Sequence, residues 1–165
     1  TLNPVEEDEF IDKDINIRDY LNEIISSFKE ISKKEFVFNF DQDSNPKKIS
    51  KSIEIVYGLR NFIGNANKFA ENTIFINLKS NSEITEITVE DDGKGYPRDI
   101  ISKIGEPYLK SNYSKDRSKQ GLGLGLFIGK TLLEKNFASV NCRNSKTRRG
   151  AEVNIKWKNI ELFNI

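Results

Sequence analysis

The sequence predicts a two-layer α/β sandwich, with one mixed sheet and its helices packed on one face. Three observations predict it. Helical and strand periodicities follow one another as helix, strand, helix, strand, strand, loop, helix, strand, strand. Only two pairs of strands are joined by tight turns, at 80–83 and 144–149, so the other connections cross over and the sheet is mixed. At 165 residues the chain suits one domain with a sizeable core. One sheet covered on one side is the economical way to bury these stripes.

Residues 1–14 are acidic, with Glu6, Glu7, Asp8 and Glu9, and read as a linker or leader ahead of a domain at 15–165. Asn16 is a helix cap for a run from Ile17 to about Ile31, where Leu21, Ile24, Ile25 and Phe28 recur at helical spacing. Phe36, Phe38 and Phe40 alternate, so 35–40 reads as a half-buried strand. A long helix is expected from about Ile49 to Ala70, with Ile53, Val56, Leu59, Ile63, Ala66 and Ala70 on its apolar stripe. Residues 73–79 and 84–91 alternate as two strands, 97–104 reads as a short helix, and 110–120 is polar without a hydrophobic period. An apolar helical run follows from Phe127 to Phe137, and 138–143 and 150–157 close the chain as strands.

Composition excludes several function classes. Lys+Arg 26 against Asp+Glu 25 gives a net charge of +1, so no global field draws nucleic acid or an anionic membrane. No run approaches the roughly 18 apolar residues of a membrane helix, and no secretory signal opens the chain. A single cysteine, Cys142, cannot form an internal disulfide, which suits a reducing compartment; it reads as a small buried residue. The absence of histidine removes zinc–histidine sites, serine–histidine catalysis and a histidine phosphoacceptor from this chain. With no methionine and Thr1 at its start, the chain is expected to be a piece of a longer protein.

Three constellations carry chemistry. Gly121, Gly123 and Gly125 alternate with Leu122, Leu124 and Leu126 just before the apolar helix. Glycine backbone at a helix start is a phosphate site, although a turn that lets a helix pack closely needs the same residues. The spacing fits neither a dinucleotide fingerprint nor a Walker A loop. Asp91-Asp92-Gly93-Lys94-Gly95 ends a strand with a carboxylate able to accept from an exocyclic amine; a plain Asp-Gly turn is the alternative. Asn61, Asn65 and Lys68 fall within roughly 60° of helical arc. Two amides can supply oxygen to magnesium and the lysine can meet phosphate. With 18 asparagines in the chain, chance can also produce such a pair.

Taken in order, these motifs resemble a known family. Leu59-Arg-Asn-Phe-Ile-Gly-Asn-Ala-Asn-Lys-Phe-Ala70 resembles the N box of the histidine-kinase ATP-binding domain, Asp91–Gly95 the G1 box and Gly121–Leu126 the G2 box. Arg149-Gly150-Ala151-Glu-Val153 resembles the terminal glycine motif. The resemblance is to the GHKL ATPase/kinase superfamily with its Bergerat-type sandwich. Residues 104–108 and 121–134 look like the redox-responsive RegB/PrrB-type sensor kinases.

The resemblance implies ATP and magnesium as ligands. Asn65 would hold the metal with support from Asn61, Lys68 would reach phosphate, and Phe69 would pack on adenine. Asp91 would accept the adenine amine, with Gly93 and Gly95 admitting the ring. Gly121, Gly123 and Gly125, with the N–H groups of Leu122 and Leu124, would cradle phosphate. Residues 106–120 would form a lid, with Lys110, Lys115, Arg117 or Lys119 near phosphate. No catalytic residue is assignable in this chain. The implied partners are a histidine-bearing dimerisation domain and a response regulator, without nucleic acid or direct membrane contact. The implied location is cytoplasmic, in a parent that is an inner-membrane sensor. The family's redox cysteine lies outside this domain, so Cys142 does not inherit that role. Gly64 stands where many relatives carry an acidic or polar residue that works on water in the ATPase branches, and its presence argues against hydrolysis as the main task. A non-catalytic nucleotide-binding module and a GHKL-type ATPase are the competing readings.

Overall fold

The structure, a computed structural model, describes residues 15–41, 48–49, 52–104 and 117–162, with backbone alone at 48–49 and 117–123. The leader at 1–14 and residues 106–116 of the expected lid lie outside the described residues.

A five-stranded sheet in the order β2-β4-β5-β7-β6 forms one layer. Its strands are β2 (Glu35–Phe40), β4 (Thr73–Ser80), β5 (Ile84–Asp91), β6 (Ser139–Asn144) and β7 (Ala151–Lys158). β2 runs parallel to β4, and the other neighbours are antiparallel. The mixed sheet therefore follows from the two hairpins and the crossover helix. Strand alternation sets the faces. Ile74, Ile76 and Leu78 of β4, Ile87 and Val89 of β5, and Val153, Ile155 and Trp157 of β7 point inward and are buried. The register matches them, with Ile76 opposite Val89 and Val89 opposite Val153. The other face is polar, and Lys156 pairs with Glu86 at 3.4 Å and Arg143 with Glu152.

Three main helices form the second layer: α1 (Ile17–Lys29), α2 (Ile53–Phe69) and α4 (Arg117–Lys135); α3 (Arg98–Ile101) and α5 (Asn159–Leu162) are single turns. Asn16 caps α1 as expected, its side chain accepting from the Arg18 N–H at 2.9 Å. α2 begins at Ile53 instead of Ile49 because Ser52 caps it, accepting from Ile55 N–H. Residues 48–49 (β3) instead pair antiparallel with 15–16 (β1) in a two-residue ladder that the sequence pattern did not announce.

α4 differs most from expectation. It starts at Arg117, about ten residues before the apolar run, so Gly121, Gly123 and Gly125 lie inside a helix and do not precede one. Arg117, Lys119 and Gln120 have good helix propensity and no proline intervenes. Inside a helix the N–H groups of Leu122 and Leu124 are directed to carbonyls four residues earlier, so the open cradle expected at a helix start is not what this arrangement presents.

α2 and α4 run antiparallel and very close. The Lys135 ammonium reaches Glu54 at 3.0 Å at one end. A Cβ on Gly58 would lie 2.6 Å from Leu133 Cγ, and one on Gly129 would lie 2.8 Å from the Phe62 ring. At the other end Gly125 faces Asn65 and Asn61, where a Cβ would lie 3.5 Å from Asn65 Oδ1. Gly129→Val should thus overpack a buried contact and lower unfolding free energy by about 1–3 kcal/mol in denaturant titration. Ile128→Ala, on the exposed side of α4, should stay within about 0.5 kcal/mol.

Candidate functional site

Asp91 holds an inward position of β5, where the alternation Ile87, Val89, Asp91 carries a carboxylate onto the apolar face. Its residue is 3 % exposed. Oδ1 accepts from the N–H of Gly93 at 2.8 Å and of Ala151 at 3.3 Å. Burial raises its pKa above the ordinary carboxylate value, against those two N–H groups, which pull it down. The turn after β6 brings Gly150 against this carboxylate, and a Cβ there would collide with the Asp91 carbonyl and Oδ1.

Around Asp91 lies a cavity of about 360 Å³ between α2 and the sheet. Phe62, Asn65, Ala66 and Phe69 of α2 form one wall, and Val89, Asp91, Ala151 and Val153 form the floor. Lys94, Gly95, Tyr96 and Pro97 close a third side. Mostly apolar walls with one buried carboxylate suit a flat ring that carries an amine. Gly95 adopts φ +79°, in the left-handed region that glycine favours. Asn144 locks this loop, its Oδ1 accepting from Tyr96 N–H at 2.6 Å and its Nδ2 donating to Tyr96 carbonyl at 3.2 Å.

The expected residues thus assemble in part. Asn65, Phe69, Asp91 and Gly95 line the cavity. Asn61 stands one turn from Asn65, near Gly125, and donates from Nδ2 to the Tyr57 carbonyl at 2.7 Å. Lys68 is exposed, its ammonium 5.3 Å from the centre of the Phe69 ring. Gly93 has another use than the one expected. A side chain there would strike the Phe69 carbonyl, so this glycine lets β5 end tightly against α2. The backbone of Gly121, Leu122 and Gly123 is helical, and Leu124 is exposed. Lys110 and Lys115 fall outside the described residues, as do the side chains of Arg117 and Lys119.

The polar groups fit a metal-bound phosphate. Asn65 Nδ2 is buried without a hydrogen-bond partner, and Gly125 leaves open the space beside both amides. Among the described residues that line the cavity, Asp91 is the one carboxylate. A Cβ on Gly64 would lie 3.4 Å from Phe28 Cζ, and glycine at this position supplies no acid beside Asn65 to act on water. Cys142 packs half-buried against the core, and burial pushes its thiol up to about 12, although Lys130 and Tyr96 pull it down. It is an unreactive thiol at neutral pH.

Several supporting residues were missed in the sequence. Asp92 accepts from three successive N–H groups, those of Glu71 and Asn72 at 2.9 Å and Thr73 at 3.1 Å. Burial opposes its charge, but the Asn72, Thr73 and Glu71 N–H groups prevail and hold its pKa below the ordinary carboxylate value. Lys34 donates to the last carbonyls of α2, those of Asn67 and, at 3.2 Å, Lys68. The acidic pair Asp91-Asp92 was itself a signal, since alternation directs two neighbouring carboxylates to opposite faces.

Residues 50–160 match the sequence model of the family described as Histidine kinase-, DNA gyrase B-, and HSP90-like ATPase. The chain is 35 % identical over 130 residues to the sensor histidine kinase RegB of Cereibacter sphaeroides, covering 70 % of this chain and 28 % of that protein. It is 32 % identical over 99 residues to the sensor protein RstB of Escherichia coli, covering 60 % of this chain and 23 % of that protein. It therefore spans about a quarter of the length of these curated relatives. Among solved structures, the catalytic domain of histidine kinase ThkA superposes with a TM-score of 0.70 at 19 % identity, covering 88 % of this chain and 95 % of that one. Full-length ShkA in complex with AMPPNP superposes with a TM-score of 0.69 at 21 % identity, covering 87 % and 30 %. These structures share the fold.

Asp91 and Asp92 should respond oppositely to pH. A raised folded pKa means that Asp91 contributes stability at low pH that is lost as pH rises through that value. Asp91→Asn should therefore gain on the wild type above about pH 4, the unfolded value, and not below it. A lowered folded pKa means that Asp92 stabilises above about pH 4 and that this is lost as pH falls through its folded value. Asp92→Asn should be the weaker protein at neutral pH. Denaturant melts between pH 3 and 8 read both slopes.

Proposed function

Because the chain belongs to the histidine kinase-, DNA gyrase B- and HSP90-like ATPase family, we propose that residues 15–165 are the ATP-binding catalytic domain of a sensor histidine kinase. The observation that carries this is the cavity shared by a buried carboxylate, Asp91, and an unpartnered amide, Asn65. One end reads a base and the other faces phosphate.

Asp91 accepts the adenine amine, which guanine replaces with a carbonyl. Phe69 and Val153 cover the ring faces, and Tyr96, held by Asn144, closes the pocket against water. Asn65, supported by Asn61, would hold magnesium, which would supply neutralisation of phosphate charge. Lys68 and the segment Gly121–Gly125 lie on the side of the phosphate tail. Phosphoryl transfer needs positioning and charge more than covalent work by the protein. The γ-phosphate passes to an imidazole nitrogen on a separate dimerisation domain, ADP leaves, and a response regulator takes the phosphoryl group afterwards. This chain has no histidine of its own to accept it.

The outer side of the α2–α4 pair supports a docking role. Ile53 and Tyr57 on α2 and Leu124 and Ile128 on α4 are exposed apolar side chains beside the amide face. Scattered exposed apolar residues are ordinary, but four on two paired helices suit an apolar partner. No helix among the described residues is long and apolar enough to cross a membrane; we place the domain in the cytoplasm.

Calorimetric titration should give binding of magnesium-ATP, weak or no binding of GTP, and a loss of about 10- to 100-fold in Asp91→Asn, the worth of a charged hydrogen bond. Radiolabelled ATP with an added histidine-bearing dimerisation domain separates the readings. Label on histidine supports the kinase, free phosphate supports an ATPase, and binding without either supports a nucleotide-sensing module.

A further inference from the structure

α2 ends at Phe69, and Ala70 leaves it in an extended conformation, φ −58° and ψ 143°. The next three residues, Glu71, Asn72 and Thr73, direct their N–H groups to one side chain, the carboxylate of Asp92. Thr73 reaches both oxygens, at 3.1 and 3.2 Å. Asp92 stands directly after Asp91 at the end of β5. The same seam is tight on its other side, where Gly93 abuts the Phe69 carbonyl.

The seam joins the two halves of the cavity. α2 carries Asn61 and Asn65, and β5 carries Asp91. Asp92 is only partly buried, and Glu71 and Asn72 are exposed. Water would satisfy these N–H groups without a carboxylate. Water would not hold the exit of α2 at a fixed distance from the end of β5, and four hydrogen bonds to one short, charged side chain do.

We propose that Asp92 is a positioning residue that sets the span between the base-reading end and the phosphate-facing end of the site. It acts through the backbone of 71–73 and touches no ligand. A nucleotide gripped at both ends is sensitive to that span, since a shifted end cannot keep the hydrogen bonds of both ends in good geometry. A ligand gripped at the base end alone is not. The proposal rests on the nucleotide-binding reading of the site.

The test compares magnesium-ATP with adenosine by titration of the wild type, Asp92→Ala, Asp92→Asn and Asp92→Glu, with thermal unfolding as a check on folding. Adenosine is followed by NMR shifts up to millimolar concentration. Asp92→Ala should lose about tenfold or more in ATP affinity, the worth of one misplaced charged hydrogen bond, while adenosine changes by less than about threefold. Asp92→Asn should recover most of the loss, because one amide oxygen can still accept the three N–H groups. Asp92→Glu keeps the charge and lengthens the reach by a methylene, so it should hold the fold and still lose ATP selectively. That variant carries the test should Asp92→Ala not fold. Equal losses for ATP and adenosine, or unchanged ATP affinity in Asp92→Ala and Asp92→Glu, would overturn the proposal. A folded wild type that binds adenosine but not ATP removes the underlying reading, and the proposal with it.

Discussion

A carboxylate buried on the apolar face of a sheet is expensive to desolvate, and much of this structure is arranged around the one at Asp91. Strand alternation delivers it to the inner face. The close turn at Gly150 and the N–H groups of Gly93 and Ala151 hold it there. The cavity lies beside it, with Phe69 and Tyr96 among its walls. The carboxylate then has open space on its remaining side, where a donor from a ligand can complete its hydrogen bonding. The recognition chemistry and the folding problem meet in one atom group.

The half that carries the amides rests on a different constraint, the glycines between α2 and α4. Gly58 and Gly129 let the helices approach until Leu133 and Phe62 fill the gap. That closeness brings Gly125 against Asn65 and Asn61. The two halves are built by separate means, one by strand geometry and one by helix packing, and they meet along the seam between the end of α2 and the end of β5.

Much of this was legible in the sequence, and the reasons differ by element. β2 and β5 fall at the residues their alternation marks, because period-two patterning with one buried face leaves no freedom of register. α2 and the order of the motifs were legible for the same reason, with a long apolar stripe. The start of α4 was not. Its first turns carry no apolar period and three glycines, which reads as loop, yet nothing there forbids a helix. The β1–β3 ladder is too short for a pattern. Asp92, Lys34 and Asn144 act through backbone groups distant in sequence, and no local spacing announces such bonds. Gly93 shows the converse: the glycine stood out in the sequence, but its contact with the Phe69 carbonyl did not.

The described chain enters the domain at β1 and passes straight into α1, where the Tyr20 hydroxyl donates to the carbonyl of Ser52 at 3.0 Å. Ser52 is the cap of α2, the helix that carries the amides some 13 residues, or about 20 Å, farther along. A helix of that length is a stiff rod. Its near end is moored to the incoming polypeptide and its far end holds the site, so tension or torque arriving through the entering segment has a direct mechanical route to the amides, with no loop between them to absorb it.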